Sequence, residues 1–456
     1  MTNHGERPIR VRMAPSPTGP LHIGTARTSL YNYLFARHMG GAYVLRIEDT
    51  DVARNTVEHE RDIIDNLHWL GISWDEGPQV AGGTDIGPYA PYRQSGRLST
   101  YAREAERLIA SDAAYLCWCT LDELDAVRRE QEARKEAPRY NRRCLNLTDA
   151  ERAAFEAEGR KPAVRFKVEP EVIRFDDLIR GEDHLSNTPK HIALMRALGY
   201  REPVFGHIPL ILNADRSKMS KRKSQTAIAD YRAQGYLPEA MVNFLAFLGW
   251  SPGTEEEIFG LDELVGRFEI ERVHKGGAIF DRERLDHLNG VYIRSLADEQ
   301  LALRLRPFLP DAVADDDLLR IVPLVRERLV RLADVRDLTD FLWRPDDEVA
   351  GQYAIDDLVP KRLEAAGARQ ILERAVVVLR ELDDADFSAE ILEERARTAA
   401  DEAGLKAGDF FKPLRVAITG RTVSPPLFAS IELLGRDRTL TRLEAAIARL
   451  EAVPVA

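Results

Sequence analysis

Three stretches of this sequence join residue types that handle phosphate or ammonium groups. The first is Pro15-Ser16-Pro17-Thr18-Gly19-Pro20-Leu21-His22-Ile23-Gly24-Thr25. It falls between an alternating apolar–Arg run, Ile9–Met13, and a segment of helical apolar spacing that starts at Leu21. A helix N-terminus carries unsatisfied N–H groups and the positive end of the peptide dipoles, so it favours a phosphate. Gly24 allows close backbone approach, and His22 can donate to a phosphate oxygen. The second stretch is Ser217-Lys218-Met219-Ser220-Lys221-Arg222, inside Arg216–Lys223, where five of eight residues are Lys or Arg. Several cationic groups on one loop can clamp a triphosphate and neutralise a leaving pyrophosphate. The third is Leu45-Arg46-Ile47-Glu48-Asp49-Thr50-Asp51, at the carboxyl end of a strand, where open α/β sheets bind ligands. Glu48 can accept from an ammonium, a ribose hydroxyl or a metal. Each stretch also has a plainer reading: a proline-rich turn, a solvated basic loop, and a helix N-cap at Asp49 or Thr50.

The elements that must hold these residues follow from periodicity. Ile9–Met13 predicts a strand, Leu21–Met39 a helix ended by Gly40-Gly41, Ala42–Ile47 a second strand, and Val57–Leu70 a helix ended by Gly71. Strand, tight loop, helix and strand open a parallel α/β sheet. Val164–Val168 and Val172–Phe175 read as short strands, Thr188–Leu198 as a helix, and Val204–Leu212 as a strand feeding the basic loop. From Leu237 onward the pattern is almost wholly helical.

Composition bounds the function. At roughly 150 residues per domain, 456 residues make about three domains. A hydrophobic fraction of 44% with 30% charged residues excludes disorder as the dominant state. The longest nearly uncharged apolar run, near Ala240–Trp250, falls short of the ~20 residues that span a bilayer. Met1–Arg12 is polar and charged, so no secretory signal is expected. Three cysteines make no disulfide framework, which points to a reducing cytoplasm. A net charge of −11 disfavours a general polyanion binder but leaves a selective nucleic-acid binder with local basic patches, such as Arg128–Arg143.

Taken together, the HIGT turn and the downstream KMSKR loop resemble the paired signatures of class I aminoacyl-tRNA synthetases. Arg12–Gly19, Leu45–Asp51, Trp69–Pro78, Tyr92-Arg93-Gln94-Ser95 and Arg180-Gly181-Glu182-Asp183-His184 resemble the glutamyl-tRNA synthetase family in particular. Phe280–Ile293 and Phe411–Gly420 resemble its stem-contact and anticodon-binding regions. The resemblance covers nearly the whole chain. It implies an α/β Rossmann-like catalytic domain with an inserted α+β subdomain, followed by all-α C-terminal domains. The implied bounds are 1–100 with 185–250 for catalysis, 101–184 for the acceptor end, 251–325 for the stem and 326–456 for the anticodon. The implied substrates are L-glutamate, ATP with Mg2+ and tRNA(Glu), in a monomer away from membranes. By that resemblance Arg12, Ala14, Ser16, Glu48 and Arg180 hold glutamate. Thr18, His22, Gly24, Thr25, His184 and Lys221 hold ATP, and His22, Gly24, Lys218 and Lys221 serve the reaction. A glutamyl-queuosine-type enzyme resembles the catalytic half too, but lacks the long helical half.

One departure stands out. The family carries two similar segments here, one like Phe175–Gly181 and one, several dozen residues later, like Ile179–His184 followed by Asn187-Thr188-Pro189. In this chain they share a single Ile179-Arg180-Gly181, and the stretch between, with a tyrosine of the glutamate pocket, is absent. A strand–helix–strand unit needs about 30 residues, so an interrupted sheet is expected in the second half of the nucleotide fold, and with it an impaired, tRNA-binding remnant as the rival function. Cys117, Cys119 and Cys144 lie in the insertion at a spacing that suits zinc. Some relatives supply a fourth Cys or His, whereas Leu145 and Asn146 follow Cys144 here. Tyr140 can complete the set, and otherwise the three are plain thiols.

Overall fold

β1 (Arg10–Met13) pairs in parallel with β2 (Ala42–Leu45), Arg12 opposite Val44. The computed structural model describes residues 9–168, 177–219, 226–311 and 313–452, with the backbone alone at 177–184. β1 alternates exposed arginines with half-buried Val11 and Met13, whereas Tyr43, Val44 and Leu45 of β2 are buried. Between them α1 (Ile23–His38) lies against both strands, with Ala26, Leu30 and Leu34 buried at four-residue spacing. α1 stops where Gly40 takes a φ of +63° and the Gly41 N–H closes on the Ala36 carbonyl at 2.8 Å. A Cβ on Gly41 would lie 2.3 Å from the Ile9 carbonyl oxygen, so only glycine lets the chain re-enter beside β1.

α2 (Val57–Trp69) is capped by Thr56, whose Oγ1 accepts from the His59 N–H at 3.1 Å. The cap is therefore not Asp49 or Thr50. The Asp49 carboxylate instead accepts from the Ser95 N–H at 2.8 Å and from the Ser95 hydroxyl. The ladder grows beyond β2 through single backbone bonds. The Leu45 N–H donates to the Glu76 carbonyl and the Ile47 N–H to the Tyr92 carbonyl, both at 2.9 Å.

β3 (Gly77–Pro78) and β4 (Asp85–Ile86) form a short antiparallel pair, followed by α3 (Leu98–Ala110). In the insertion, β5 (Ala114–Cys117) pairs antiparallel with β6 (Ala163–Phe166), and α4 (Leu121–Ala133) and α5 (Asp149–Ala157) lie between them in sequence. β7 (Asp177–Gly181) then pairs in parallel with β8 (Phe205–Ile208) across α6 (Thr188–Ala197), and β7 lies against α1. The strand expected over Val204–Leu212 is two: Pro209 has no N–H for a ladder, so β8 ends and β9 (Ile211–Leu212) pairs with β10 (Ala278–Ile279). Among the described residues β1–β2 and β7–β8 are separate two-stranded ladders. The strand expected at Val172–Phe175 lies outside the described residues.

By its contacts the chain divides into two units, Met1–Asp230 with Val242–Asp281, and Tyr231–Met241 with Arg282–Ala456. The second unit is helical. One apolar cluster includes Leu237, Leu301, Val322 and Val335, and another includes Leu372, Phe410, Ile431 and Leu443. Among the described residues no helix is long and apolar enough to cross a membrane.

One buried charge organises the helical unit. Arg442 is fully buried; its Nε donates to Asp346 Oδ1 at 2.7 Å and its Nη2 to the Phe341 carbonyl at 2.7 Å. Arg438 Nη2 donates to the same Asp346 oxygen at 2.8 Å. Burial pushes the Asp346 carboxyl up, but the Arg438 and Arg442 hydrogen bonds outweigh it and hold it below its usual range. Removing one partner of such a pair strands a buried charge. Asp346→Ala is expected to destabilise the protein by about 3–5 kcal/mol in denaturant unfolding. A loss below about 1 kcal/mol would show that backbone carbonyls alone carry Arg442.

Candidate active site

β1 and the end of β2 bring the first group of side chains together. The Arg46 N–H donates to the Met13 carbonyl and the Glu48 N–H to the Pro15 carbonyl, both at 2.9 Å. Glu48 therefore runs beside Arg12, Ala14 and Ser16, the residues with which the family resemblance groups it. Its Oε1 accepts from Arg46 Nη2 at 2.8 Å and lies 3.4 Å from Arg12 Nη1. The Glu48 side chain keeps 29% of its surface exposed, so this is an open cluster of two guanidiniums on one carboxylate. Arg46 was not among the expected site residues. The signal was present in the strand period, which puts residues 46 and 48 on one face.

Two residues earlier on β1, Arg10 anchors a second cluster, whose carboxylate is buried. Arg10 makes a bidentate pair with Glu76, Nε to Oε1 at 2.8 Å and Nη2 to Oε2 at 2.5 Å, and the Tyr92 hydroxyl also donates to Oε2. The Arg10 hydrogen bond, ahead of burial, sets the Glu76 carboxyl below its usual range. Tyr92 is pushed up, by burial first and then by its bond to Glu76.

The HIGT turn differs from expectation in one respect. A helix start was expected to offer free N–H groups to a phosphate, yet three of them are already used. The Leu21 N–H donates to Asp62 Oδ2 at 2.6 Å, the Ile23 N–H to the Thr226 carbonyl at 2.8 Å, and the Gly24 N–H to His22 Nδ1 at 2.9 Å. His22 is thus the N-cap of α1. Because Nδ1 accepts, the neutral ring carries its proton on Nε2, a donor suited to a phosphate oxygen. Thr18 closes a tight turn on the Ser16 carbonyl at 2.8 Å, and Thr25 sits half-buried in the first turn of α1.

The basic loop is rooted next to this turn. After β9 the Met219 N–H donates to the Ile211 carbonyl at 3.1 Å, and Lys218 bridges Leu212. Asn213, Asp215 and Ser217 tie the hairpin, the Asn213 N–H reaching the Ser217 carbonyl at 2.9 Å. Lys221 lies outside the described residues, but the chain returns at Thr226–Ile228, which pairs antiparallel with Leu21–Ile23. Arg180 lies in β7 opposite His207 of β8, and His184 in the short turn Glu182–Asn187; only their backbones are described. On the described side, His207 Nε2 lies 3.2 Å from the Thr188 hydroxyl at the start of α6.

The three thiols converge. Their sulfurs all lie within 4.8 Å of one another, with Cys119 and Cys144 3.5 Å apart. The Tyr140 oxygen is 3.3 Å from Cys117 Sγ and 3.5 Å from Cys119 Sγ, and it accepts from the Cys144 N–H at 3.1 Å. Tetrahedral zinc with Zn–S bonds of ~2.3 Å sets sulfurs about 3.8 Å apart, so the donor set fits that ion with Tyr140 at the fourth corner. Burial pushes the Cys117 thiol up, but its hydrogen bonds with Tyr140 and Arg165 bring it down to about 7. Burial, then the neighbouring thiols, pushes Cys119 up to about 11.

Comparison with known proteins places this geometry. Residues 8–181 and 171–287 match the model of class I tRNA synthetases (E and Q), catalytic domain, and residues 300–447 match an anticodon binding domain. The glutamate–tRNA ligase of Desulforudis audaxviator is 42% identical over 492 aligned positions, covering 96% of each chain. The chain belongs to the glutamate–tRNA ligase family. The crystal structure of a glutamate tRNA ligase from Elizabethkingia meningosepticum, in complex with its amino acid, superposes with a TM-score of 0.80 at 32% identity, covering 97% of this chain and 100% of that one. The alignment to the family's Dehalococcoides mccartyi member takes in 100% of this chain, 99% of the relative and 505 positions, although this chain has 456 residues. The relative therefore holds residues with no counterpart here. Residues 171–181 are matched twice by the catalytic-domain model.

The Arg10–Glu76–Tyr92 cluster makes a pH-dependent contribution to this scaffold. Because the folded carboxyl is lowered, its stabilisation is present above the ordinary carboxylate range and is lost as pH falls through the lowered value. Glu76→Gln is expected to cost about 1 kcal/mol at neutral pH, and the difference from the unsubstituted protein should close in acid. A gap of the same size at both pH values would assign the loss to packing.

Proposed function

We propose that this chain joins L-glutamate to tRNA(Glu) at the expense of ATP, through a glutamyl-adenylate. The observation that carries the reading is the pairing of Leu21–Ile23 with Thr226–Ile228, which sets the HIGT turn beside the end of the basic loop. In the first step an oxygen of the glutamate α-carboxylate attacks the α-phosphorus of ATP. The bond to the bridging oxygen breaks and pyrophosphate leaves with Mg2+. In the second, a terminal ribose hydroxyl of the tRNA attacks the acyl carbon, and AMP leaves. The substrates supply both nucleophiles, so the protein's work is alignment and charge stabilisation. Arg12 and Arg180 suit the side-chain carboxylate, and Glu48, flanked by Ala14 and Ser16, suits the α-ammonium. His22 Nε2, with Thr18, Gly24, Thr25 and His184, serves ATP; Lys218 and Lys221 serve its phosphates.

In the same reading residues 1–100 and 185–250 activate glutamate, 101–184 receive the acceptor end, 251–325 follow the stem and 326–456 read the anticodon. The enzyme acts as a cytoplasmic monomer. The match of residues 300–447 to an anticodon binding domain speaks against a glutamyl-queuosine-type enzyme.

A second reading is less favoured, because the relatives that match nearly the whole chain are glutamate–tRNA ligases, but one observation bears on it. The double match at 171–181 is what two fused repeats produce, and a pocket segment lost between them would leave a tRNA-binding remnant. Charging of tRNA(Glu) with labelled glutamate, ATP and Mg2+ separates the two. The ligase reading expects glutamyl-tRNA to form and His22→Ala to slow adenylation about 100-fold. Tight tRNA binding with no charging, beside an active full-length relative, would establish the remnant.

Cys117, Cys119, Cys144 and Tyr140 would hold Zn2+, which would cross-link the insertion without joining the reaction. Metal analysis of protein purified without added zinc should give about one zinc per chain, and Cys144→Ser should lower it. A stoichiometry near zero would leave three plain thiols.

A further inference from the structure

α2 grips the proline-rich loop at both ends. At the loop's start the Thr56 N–H donates to the Pro17 carbonyl at 3.3 Å. At its end Asp62, one and a half turns into the same helix, accepts the Leu21 N–H through Oδ2 at 2.6 Å. The Asp62 carboxylate is itself held: Asn66 Nδ2 donates to its Oδ1 at 3.0 Å and to the Asp62 carbonyl at 2.8 Å, and Asn66 is 4% exposed. Leu21 is buried, and its carbonyl accepts from the Ile228 N–H at 2.9 Å. One residue therefore connects α2 on its amide side and the return of the basic loop on its carbonyl side. The next residue is His22.

We infer that Asp62 is a positioning residue: it fixes Leu21, and through it the His22 ring and the pairing with Thr226–Ile228, so that the turn meets the phosphates of ATP already aligned. The inference rests on the proposed ligase reading. A carboxylate is a costly choice near a site for a polyanion, since like charges repel. A carboxylate–amide bond is also stronger than a neutral one, which suits a loop of prolines that has few N–H groups of its own to hold it. On this inference Asp62 acts through the Leu21 amide rather than on the substrate. Its effect is to remove reorganisation of the turn from the reaction barrier.

The test compares Asp62→Ala, Asp62→Asn and Asn66→Ala with the unsubstituted protein. Glutamate-dependent ATP–pyrophosphate exchange in the presence of tRNA(Glu) gives kcat and KM for ATP, charging gives KM for tRNA, and heating with and without ATP gives the ligand-induced rise in Tm. Asp62→Ala should lower the exchange kcat about tenfold and reduce the ATP-induced rise, with KM for tRNA unchanged. Asp62→Asn, which keeps an acceptor oxygen for the Leu21 N–H, should recover most of the loss. Asn66→Ala should act in the same direction, by less. A folded Asp62→Ala protein with full kcat and only a lower Tm would overturn the inference and leave Asp62 a structural contact. If the unsubstituted protein gains stability from ATP but catalyses no exchange, the ligase reading fails, while the loss of that gain in Asp62→Ala still supports the positioning role. If ATP stabilises neither protein, both fall.

Discussion

Two backbone hydrogen bonds hold the catalytic unit's chemistry in one place: Ile23 N–H to the Thr226 carbonyl at 2.8 Å and Ile228 N–H to the Leu21 carbonyl at 2.9 Å. They join segments about two hundred residues apart in the chain, so neither end can move without the other. The HIGT turn and the basic loop arise from different parts of the fold, one from the end of β1 and one from β9. On the proposed reading, without this pairing the His22 turn and the basic loop would meet a triphosphate independently. With it, the entropy of bringing them together is met during folding rather than during reaction.

That pairing changes what the turn can offer a ligand. The amides of Leu21, Ile23 and Gly24 are satisfied within the protein, so the turn is rigid. On the proposed reading, phosphate recognition therefore falls to side chains, His22 and the lysines of the basic loop, rather than to these amides. On the proposed reading the Arg12–Glu48–Arg46 cluster, a partly exposed carboxylate between two guanidiniums, supplies the charged groups that pair with glutamate. Glutamate would bring an ammonium and two carboxylates, and the cluster holds groups of both signs.

Much of this was legible in the sequence wherever the determinant was local. Strand alternation gave β1, proline and glycine punctuation gave the loop, and four-residue spacing gave α1. The grouping of Arg12, Ala14, Ser16 and Glu48 came from the family resemblance rather than from any local pattern, and the structure brings those four residues side by side. Other features depended on contacts that no local pattern encodes. Asp62 reads as one more polar residue on an amphipathic helix until its carboxylate meets Leu21. The cap of α2 fell at Thr56 because Asp49 was claimed by Ser95, forty-six residues away. Pro209 split a run that otherwise reads as one strand, and the Arg438–Asp346–Arg442 cluster joins helices too far apart in the chain for spacing to reveal.

The central claim, that the HIGT turn and the return of the basic loop form one phosphate-handling unit, is tested most directly by amide hydrogen exchange with and without ATP. The structure predicts that Ile23 and Ile228 are both protected in the free protein and that ATP slows exchange in Leu21–Gly24 and Thr226–Ile228 together. Rapid exchange at either amide, or slowing confined to one of the two segments, would contradict it.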